Sequence, residues 1–303
     1  MKTTMSTSYR NMQLLLDQMT TKLSDLNSQA ASGLRVSKAS DDPGAVRPIL
    51  GTRAQITQDS QYLSTMSSAA DHYSIVDTQL SQVQNLLVKA KEIAVQAGNG
   101  TYTSTDLETL QSQITQVKSS MMDLANAQVN GQYLFGGFKD DAAPFNGDPP
   151  TYSGDANHQE IAIGPSQTVQ TNVTGNEVFM GDANNDGTTD AGNVNIFDVL
   201  TQIETSLGSG DASGATGQLD NLDTAMDQVS KYQGQLANYA STVDDAKTAM
   251  QDTQTSLKAM LSNYQNADFT QTLTALTQQQ TAYQAALSVT SQLSKLSILD
   301  YMK

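Results

Sequence analysis

A chain of 303 residues, 38% hydrophobic but only 6% aromatic and without Trp, is long enough for two or three domains and must pack mainly through Ala, Leu, Met and Val. Its 16 Lys and Arg face 31 acids, for a formal charge of −15 and a pI near 4.3, which excludes a phosphate-binding stripe and disfavours nucleic acid or an anionic membrane as partner. The absence of Cys removes disulfides, thiolate metal sites and cysteine nucleophiles.

The N-terminus runs straight into an amphipathic pattern, with no apolar h-region and small-residue cleavage site. The expectation is a protein that is cytosolic or leaves the cell without a cleaved signal. Met5, Tyr9, Met12, Leu16, Met19, Leu23, Leu26 and Ala30 alternate steps of four and three, the spacing of a heptad seam. Gly33 should end this helix, and Asp41-Asp42-Pro43 should turn the chain and restart a helix with Pro in its first turn. A second seam runs Tyr62, Met66, Ala69, Tyr73, Val76, Leu80, Val83, Leu87, Ala90, Ala94 and Ala97. Gly98-Asn99-Gly100 stops it, and a third, Leu107, Leu110, Ile114, Val117, Met121 and Leu124, opens after Ser104. These two helices are expected to form an antiparallel hairpin.

From Asn130 to about Val194 the pattern vanishes into Gly, Asp, Asn and Pro. Short alternating runs at Gln159 to Ile163, Gln167 to Val173 and Glu177-Val178-Phe179 predict strands of a small β-rich insertion. A short helix from Ile196 to Leu207 and a flexible link from Gly208 to Gly217 should follow. Heptad spacing returns at Tyr232, Leu236, Tyr239, Val243, Ala246, Met250, Thr253, Leu257, Met260 and Tyr264. The last segment carries Leu273, Leu276, Gln280, Tyr283 and Leu287, then a shifted stripe of Val289, Leu293 and Leu296.

The fold class that follows is mainly α: a long antiparallel helical bundle or coiled coil of the N- and C-terminal segments, with a small β-rich outer domain inserted between them. The expected boundaries are 1–40 plus 270–303 for a terminal coiled-coil assembly region, 41–136 plus 195–269 for a helical rod, and 137–194 for the insertion. The seams are rich in Ser, Thr, Gln and Ala, so the ends are expected to order on assembly. Spacing alone favours an ordinary intramolecular bundle over an assembly seam.

Three stretches carry a resemblance. Ser32-Gly33-Leu34-Arg35-Val36-Ser37-Lys38-Ala39-Ser40-Asp41-Asp42-Pro43-Gly44 resembles the N-terminal motif of the bacterial flagellin superfamily, which includes flagellins and hook-associated proteins. Ala125 to Gly137, ending Tyr133-Leu134-Phe135-Gly136-Gly137, is similar to that family's exit from its helical hairpin into a variable outer domain. Gln278 to Leu287, followed by Leu293 to Met302, is most similar to the closing pattern of the hook-associated members. The resemblance implies a structural subunit, not an enzyme, that joins hook to filament in the extracellular flagellum. It would be exported unfolded by the flagellar type III route with a chaperone on its C-terminal helix. It would then form a ring with copies of itself, between the first hook-associated protein and flagellin. The residues expected in the assembly seam are Tyr9, Met12, Leu16, Met19, Leu23 and Leu26 with Leu276, Tyr283, Leu287, Leu293 and Leu296.

One further candidate lies in the insertion. Asp182 to Asn193 has the spacing of a twelve-residue calcium loop, with oxygen ligands from Asp182, Asn184, Asp186, the Thr188 carbonyl and Asp190, and Gly187 at the sharp turn. Asn193 replaces the bidentate Glu, and Thr189 stands where an apolar anchor is usual. An acidic surface loop rich in Gly and Asn therefore fits better than a calcium site. If the loop were the working part, the chain would be a secreted calcium-binding or adhesive module on a helical stalk. A third class, a cytosolic coiled-coil partner, would never leave the cell. No cofactor other than calcium is expected. His72 and His158 lack a second His or Cys to complete a metal set. Neither they nor the adjacent pairs Asp41-Asp42, Asp140-Asp141 and Asp244-Asp245 form a catalytic arrangement.

Overall fold

The computed structural model describes the main chain of residues 2–301 and the side chains of residue 7 and residues 9–292. The chain forms two compact units, Met1–Gln58 with Thr253–Lys303, and Asp59–Asp252. Helices α2 (Pro43–Ala97) and α6 (Leu219–Gln265) contribute residues to both.

In the terminal unit, α1 (Lys2–Ser32) packs against α7 (Phe269–Tyr301). Leu34 bridges Asn266 at one end, and Gln279 reaches the Met19 carbonyl further along, so the two helices run antiparallel. Gly33 ends α1 at φ +70°, a left-handed conformation that suits glycine. The loop beyond it is stitched to the α6–α7 turn. Arg35 and Val36 N–H donate to the Gln265 carbonyl at 2.7 and 3.2 Å, and Ala267 N–H donates to that of Gly33 at 2.9 Å. Asp41 accepts from the N–H groups of Ser37 and Lys38, and Asp42 accepts from those of Gly44 and Ala45 just inside α2. Val36, Ala45 and Ile49 bury a satellite core against Leu261.

The central unit holds the main core. Every position of the second predicted seam from Met66 to Ala97 is buried, as are Leu107, Leu110, Ile114, Val117 and Met121 of α3 (Ser104–Ala125). The α3 cap is Thr103, one residue earlier than expected, in a reciprocal capping box with Asp106. From α6, Leu222, Ala225, Val229, Tyr232, Leu236 and Val243 complete the same cluster.

Between α3 and α6 the insertion contains three short antiparallel hairpins: β1 (Gln128–Val129) with β2 (Gln132–Tyr133), β3 (Phe145–Asn146) with β4 (Thr151–Tyr152), and β5 (Glu160–Gly164) with β6 (Gln167–Gln170). The hairpin at 160–170 agrees with the expected strands. Glu177-Val178-Phe179 does not. It lies in a π-helical turn, Asn176–Met180, whose start is fixed by Glu177 accepting from Thr174 N–H and Oγ1 and whose end is Gly181 at φ +66°. Val178 and Phe179 are both fully buried, although consecutive strand residues would face opposite ways. Phe135, Phe145, Phe179 and Phe197 form a chain of ring contacts at 5.3 to 6.0 Å. Such pairs add about 0.5–1.5 kcal/mol beyond the area they bury.

Helix α4 (Ile196–Gly208) follows, capped by Asn195. The segment expected to be a flexible link instead holds a short helix, α5 (Ala212–Thr216), because Asp211 caps it through Gly214 N–H and Ala215 is fully buried.

Candidate assembly site

On α1, Met12, Leu16, Met19 and Leu23 are half-buried and Leu26 is 7% exposed, while Tyr9 stands 62% exposed. On α7, Leu276 and Tyr283 are half-buried but Leu287 is exposed, as are Leu273 and Gln280. Thr272 is buried, and Gln279, Ala286 and Thr290 are half-buried. Together with Leu276 and Tyr283 these positions continue one uninterrupted four–three alternation. Extending the α1 step pattern in both directions from Leu276 would have found them, but the larger side chains at 273 and 287 draw the eye to a frame one residue off. Met5, Leu293 and Leu296 lie outside the described side chains.

The helices therefore carry two kinds of apolar position. One set is sheltered within the terminal unit. The other, Leu14 and Leu15 on α1 with Leu273, Leu287 and Val289 on α7, faces out. Scattered exposed apolar residues are ordinary, but with Tyr9 and Phe269 seven large ones lie exposed on these two helices among the described residues.

Charge divides the same way. The terminal unit carries ten Lys and Arg against six Asp and Glu, a formal +4, whereas the central unit carries six against 25, a formal −19. Whole-chain counting hides this division.

The loop of the calcium spacing is folded around its own carboxylates. Asp182, almost fully buried, accepts from Asp186 N–H at 3.2 Å and Gly187 N–H at 2.8 Å. Asp186 accepts from the Thr188 N–H and hydroxyl and from the Asn184 side-chain amide, which hold its pKa below the usual 3.8. Asp190 accepts from Ala183 N–H at 2.9 Å. Among the described residues no three His, Cys, Asp or Glu side chains converge to hold a metal ion.

The histidines sit apart. Burial lowers the pKa of His72, which lines a cavity of about 90 Å³ beside Tyr133 and Gln159. His158 has Glu177 at 3.7 Å from its Nε2 and Gln170 Nε2 at 2.8 Å from its Nδ1. Gln170 also donates to the Asn172 carbonyl and accepts from Tyr239, which fixes its amide, so His158 Nδ1 is the acceptor and its proton sits on Nε2.

The antiparallel pair formed by the first and last helices, with an insertion between α3 and α6 in the sequence, defines a mainly α protein interrupted by a small β-containing region. The model of the bacterial flagellin N-terminal helical region matches residues 4–140, and that of the C-terminal helical region matches residues 219–302. The chain belongs to the bacterial flagellin family and is a structural component of the flagellum. Within that family it is similar to flagellar hook-associated protein 3 of Escherichia coli, 27% identical over 91% of each chain, and to that of Salmonella typhimurium, 25% identical over 90% of each. The flagellar filament 41 kDa core protein of Borreliella burgdorferi is 34% identical over 113 residues, 37% of this chain and 34% of its own. In fold the chain resembles flagellar hook-associated protein 3 of Legionella pneumophila, with TM-score 0.62 at 18% identity covering 71% of this chain and 98% of that one. FlgL of Xanthomonas campestris matches with TM-score 0.57 at 17% identity, covering 69% and 98%. Among the described residues no helix is long and apolar enough to cross a membrane.

Proposed function

We propose that this chain is the subunit of a ring that joins the hook to the flagellin filament. The observation that carries the reading is the antiparallel α1–α7 pair, whose exposed Leu14, Leu15, Leu273, Leu287 and Val289 leave apolar surface for neighbouring subunits. Similarity to hook-associated protein 3 over nine-tenths of both chains supports the junction member rather than the filament member. On this reading the ring sits on the first hook-associated protein and receives flagellin on its other side. Subunits leave the cell unfolded through the flagellar export channel, with an export chaperone covering the C-terminal helix. The weak seams suit that route, since a marginal helix pair unfolds at little cost and reforms on a partner face.

The test is removal of the gene followed by restoration with the whole chain or with Leu15→Asp. Cells lacking the protein should keep hooks, lose filaments and release unattached flagellin into the medium, and the whole chain should restore attachment. Leu15→Asp should restore it poorly. Normal filaments in the deletion strain would sink the proposal.

A further inference from the structure

The turn after β2 presents an aromatic ring to solvent and holds it there. Phe138 is 59% exposed, yet its N–H donates to Asp155 Oδ1 at 2.9 Å. Asp155 also accepts from Asn157 N–H. Gly137, at φ +73°, lies so close to Asp155 that a Cβ there would collide with the carboxylate. The Phe138 main chain is thus held in a turn that only glycine at 137 allows, with its side chain outside the core and Lys139, Asp140 and the exposed Asp141 following it in sequence.

The terminal unit offers the complement. A groove of about 210 Å³ is floored by Val36, Val46 and Ile49 and flanked by Leu50, Lys38 and Arg53. Leu50 is 59% exposed, Lys38 acts electrostatically on Asp41, and among the described residues the ion pairs do not include Arg53. The groove belongs to the +4 unit and the Phe138 turn to the −19 unit.

We infer that Phe138 of one copy docks into the Val36–Ile49–Leu50 groove of a second copy, with Asp141 meeting Lys38 and Arg53. This deepens the ring reading and rests on it. The contact is heterologous, one patch meeting a different patch, and repeated contacts of that kind close a ring when the rotation allows. An aromatic anchor in an apolar pocket with charges at the rim is the usual division of work at such an interface, the ring supplying affinity and the charges orientation. The opposite charge of the two units favours this pairing over groove against groove or turn against turn.

Because the chain has no Cys, pairs can be placed cleanly. Full-length protein carrying both Leu50→Cys and Phe138→Cys is expressed in a deletion strain, and isolated hook–filament preparations are treated with a short bis-maleimide. The expected result is covalent dimers and higher species from the doubly substituted chain, and monomer alone from each single substitution. Doubly substituted protein that is present in the preparations and stays monomeric overturns the docking contact while leaving the ring reading intact. Wild-type protein absent from the preparations overturns the ring reading itself. If the Cys variants do not assemble, charge exchange decides: Arg53→Asp should reduce attached filaments several-fold and Asp141→Arg in the same chain should restore them. Failure of that restoration also overturns the contact.

Discussion

Gln279 on α7 donates its side-chain amide to the main-chain carbonyl of Met19 on α1 at 3.4 Å, joining positions 260 apart in sequence. A glutamine at a seam position is a weak anchor in water, and the bond is long. The α1–α7 pair is therefore a marginal one whose apolar contacts and neighbours must supply most of its stability.

Folding and assembly should separate by mutation. Leu26 is sheltered in the α1–α7 seam and Leu15 faces out. Leu26→Asp should lower the helical circular dichroism of the isolated protein, since burying a charge there is unfavourable. Leu15→Asp should leave that signal within error and still impair filament attachment. Equal loss of helix in both variants would mean that the two faces are not distinct in the free protein.

Gln228 is a polar tie between α6 and the insertion, beside the Tyr239–Gln170 bond. Its Nε2 donates to the carbonyls of Val178 at 2.8 Å and Val194 at 3.2 Å, and its Oε1 accepts from Val194 N–H at 3.0 Å. Gln228→Leu keeps much of the volume but strands three main-chain groups, so unfolding in urea should show a loss of about 2–4 kcal/mol. A loss below about 0.5 kcal/mol would indicate that these groups find other partners.

The loop from Asp182 to Asn193 can be separated from calcium binding. Asp182 closes two turns through main-chain N–H groups, so Asp182→Ala should lower the melting temperature even in excess chelator. Calcium should shift the melting of wild type and of Asp186→Ala equally. A calcium-dependent rise in the wild type that Asp186→Ala abolishes would instead assign the ion to this loop.

Acid should loosen the caps. The Lys38 and Ser37 N–H groups hold the Asp41 carboxyl below 3.8, the Arg35 guanidinium does the same for Asp42, and Thr103 for Asp106. Burial pushes Asp155 upward, but the N–H groups of Phe138 and Asn157 outweigh it and its pKa is also lowered. Each of these groups binds a proton more readily in the unfolded chain than in the folded one. Their contribution is complete above about pH 5 and is lost as pH falls through 3.8 and below. Because burial lowers the pKa of His72 below its ordinary 6.5, the urea midpoint should decline slightly as pH falls from about 7 to 5 and drop more steeply below that, where the carboxylates protonate. A midpoint unchanged at pH 3 would contradict this assignment.

Much of the helical frame was legible because large side chains repeat at regular steps. Met66 to Ala97 and Leu107 to Met121 are buried as their spacing indicates, since both faces meet one core. The α7 seam was only half legible. Its sheltered positions include Thr272, Gln279, Ala286 and Thr290, which carry little hydrophobic signal, while the exposed Leu273 and Leu287 carry a strong one. Apolar residues meant for a neighbour and those meant for the fold look alike in sequence. Glu177-Val178-Phe179 misled for a different reason: three β-compatible residues are overruled by a reciprocal Thr174–Glu177 start and a left-handed Gly181 stop. The charge division between the units escaped notice because it depends on knowing that residues 1–58 and 253–303 belong together.

On the proposed function this subunit occupies a junction rather than the filament shaft. Immunogold labelling of isolated hook–filament preparations tests it most directly. The expected result is a narrow band of label at the distal end of the hook and none along the filament. Label distributed along the filament, or absent from the preparations altogether, would contradict it.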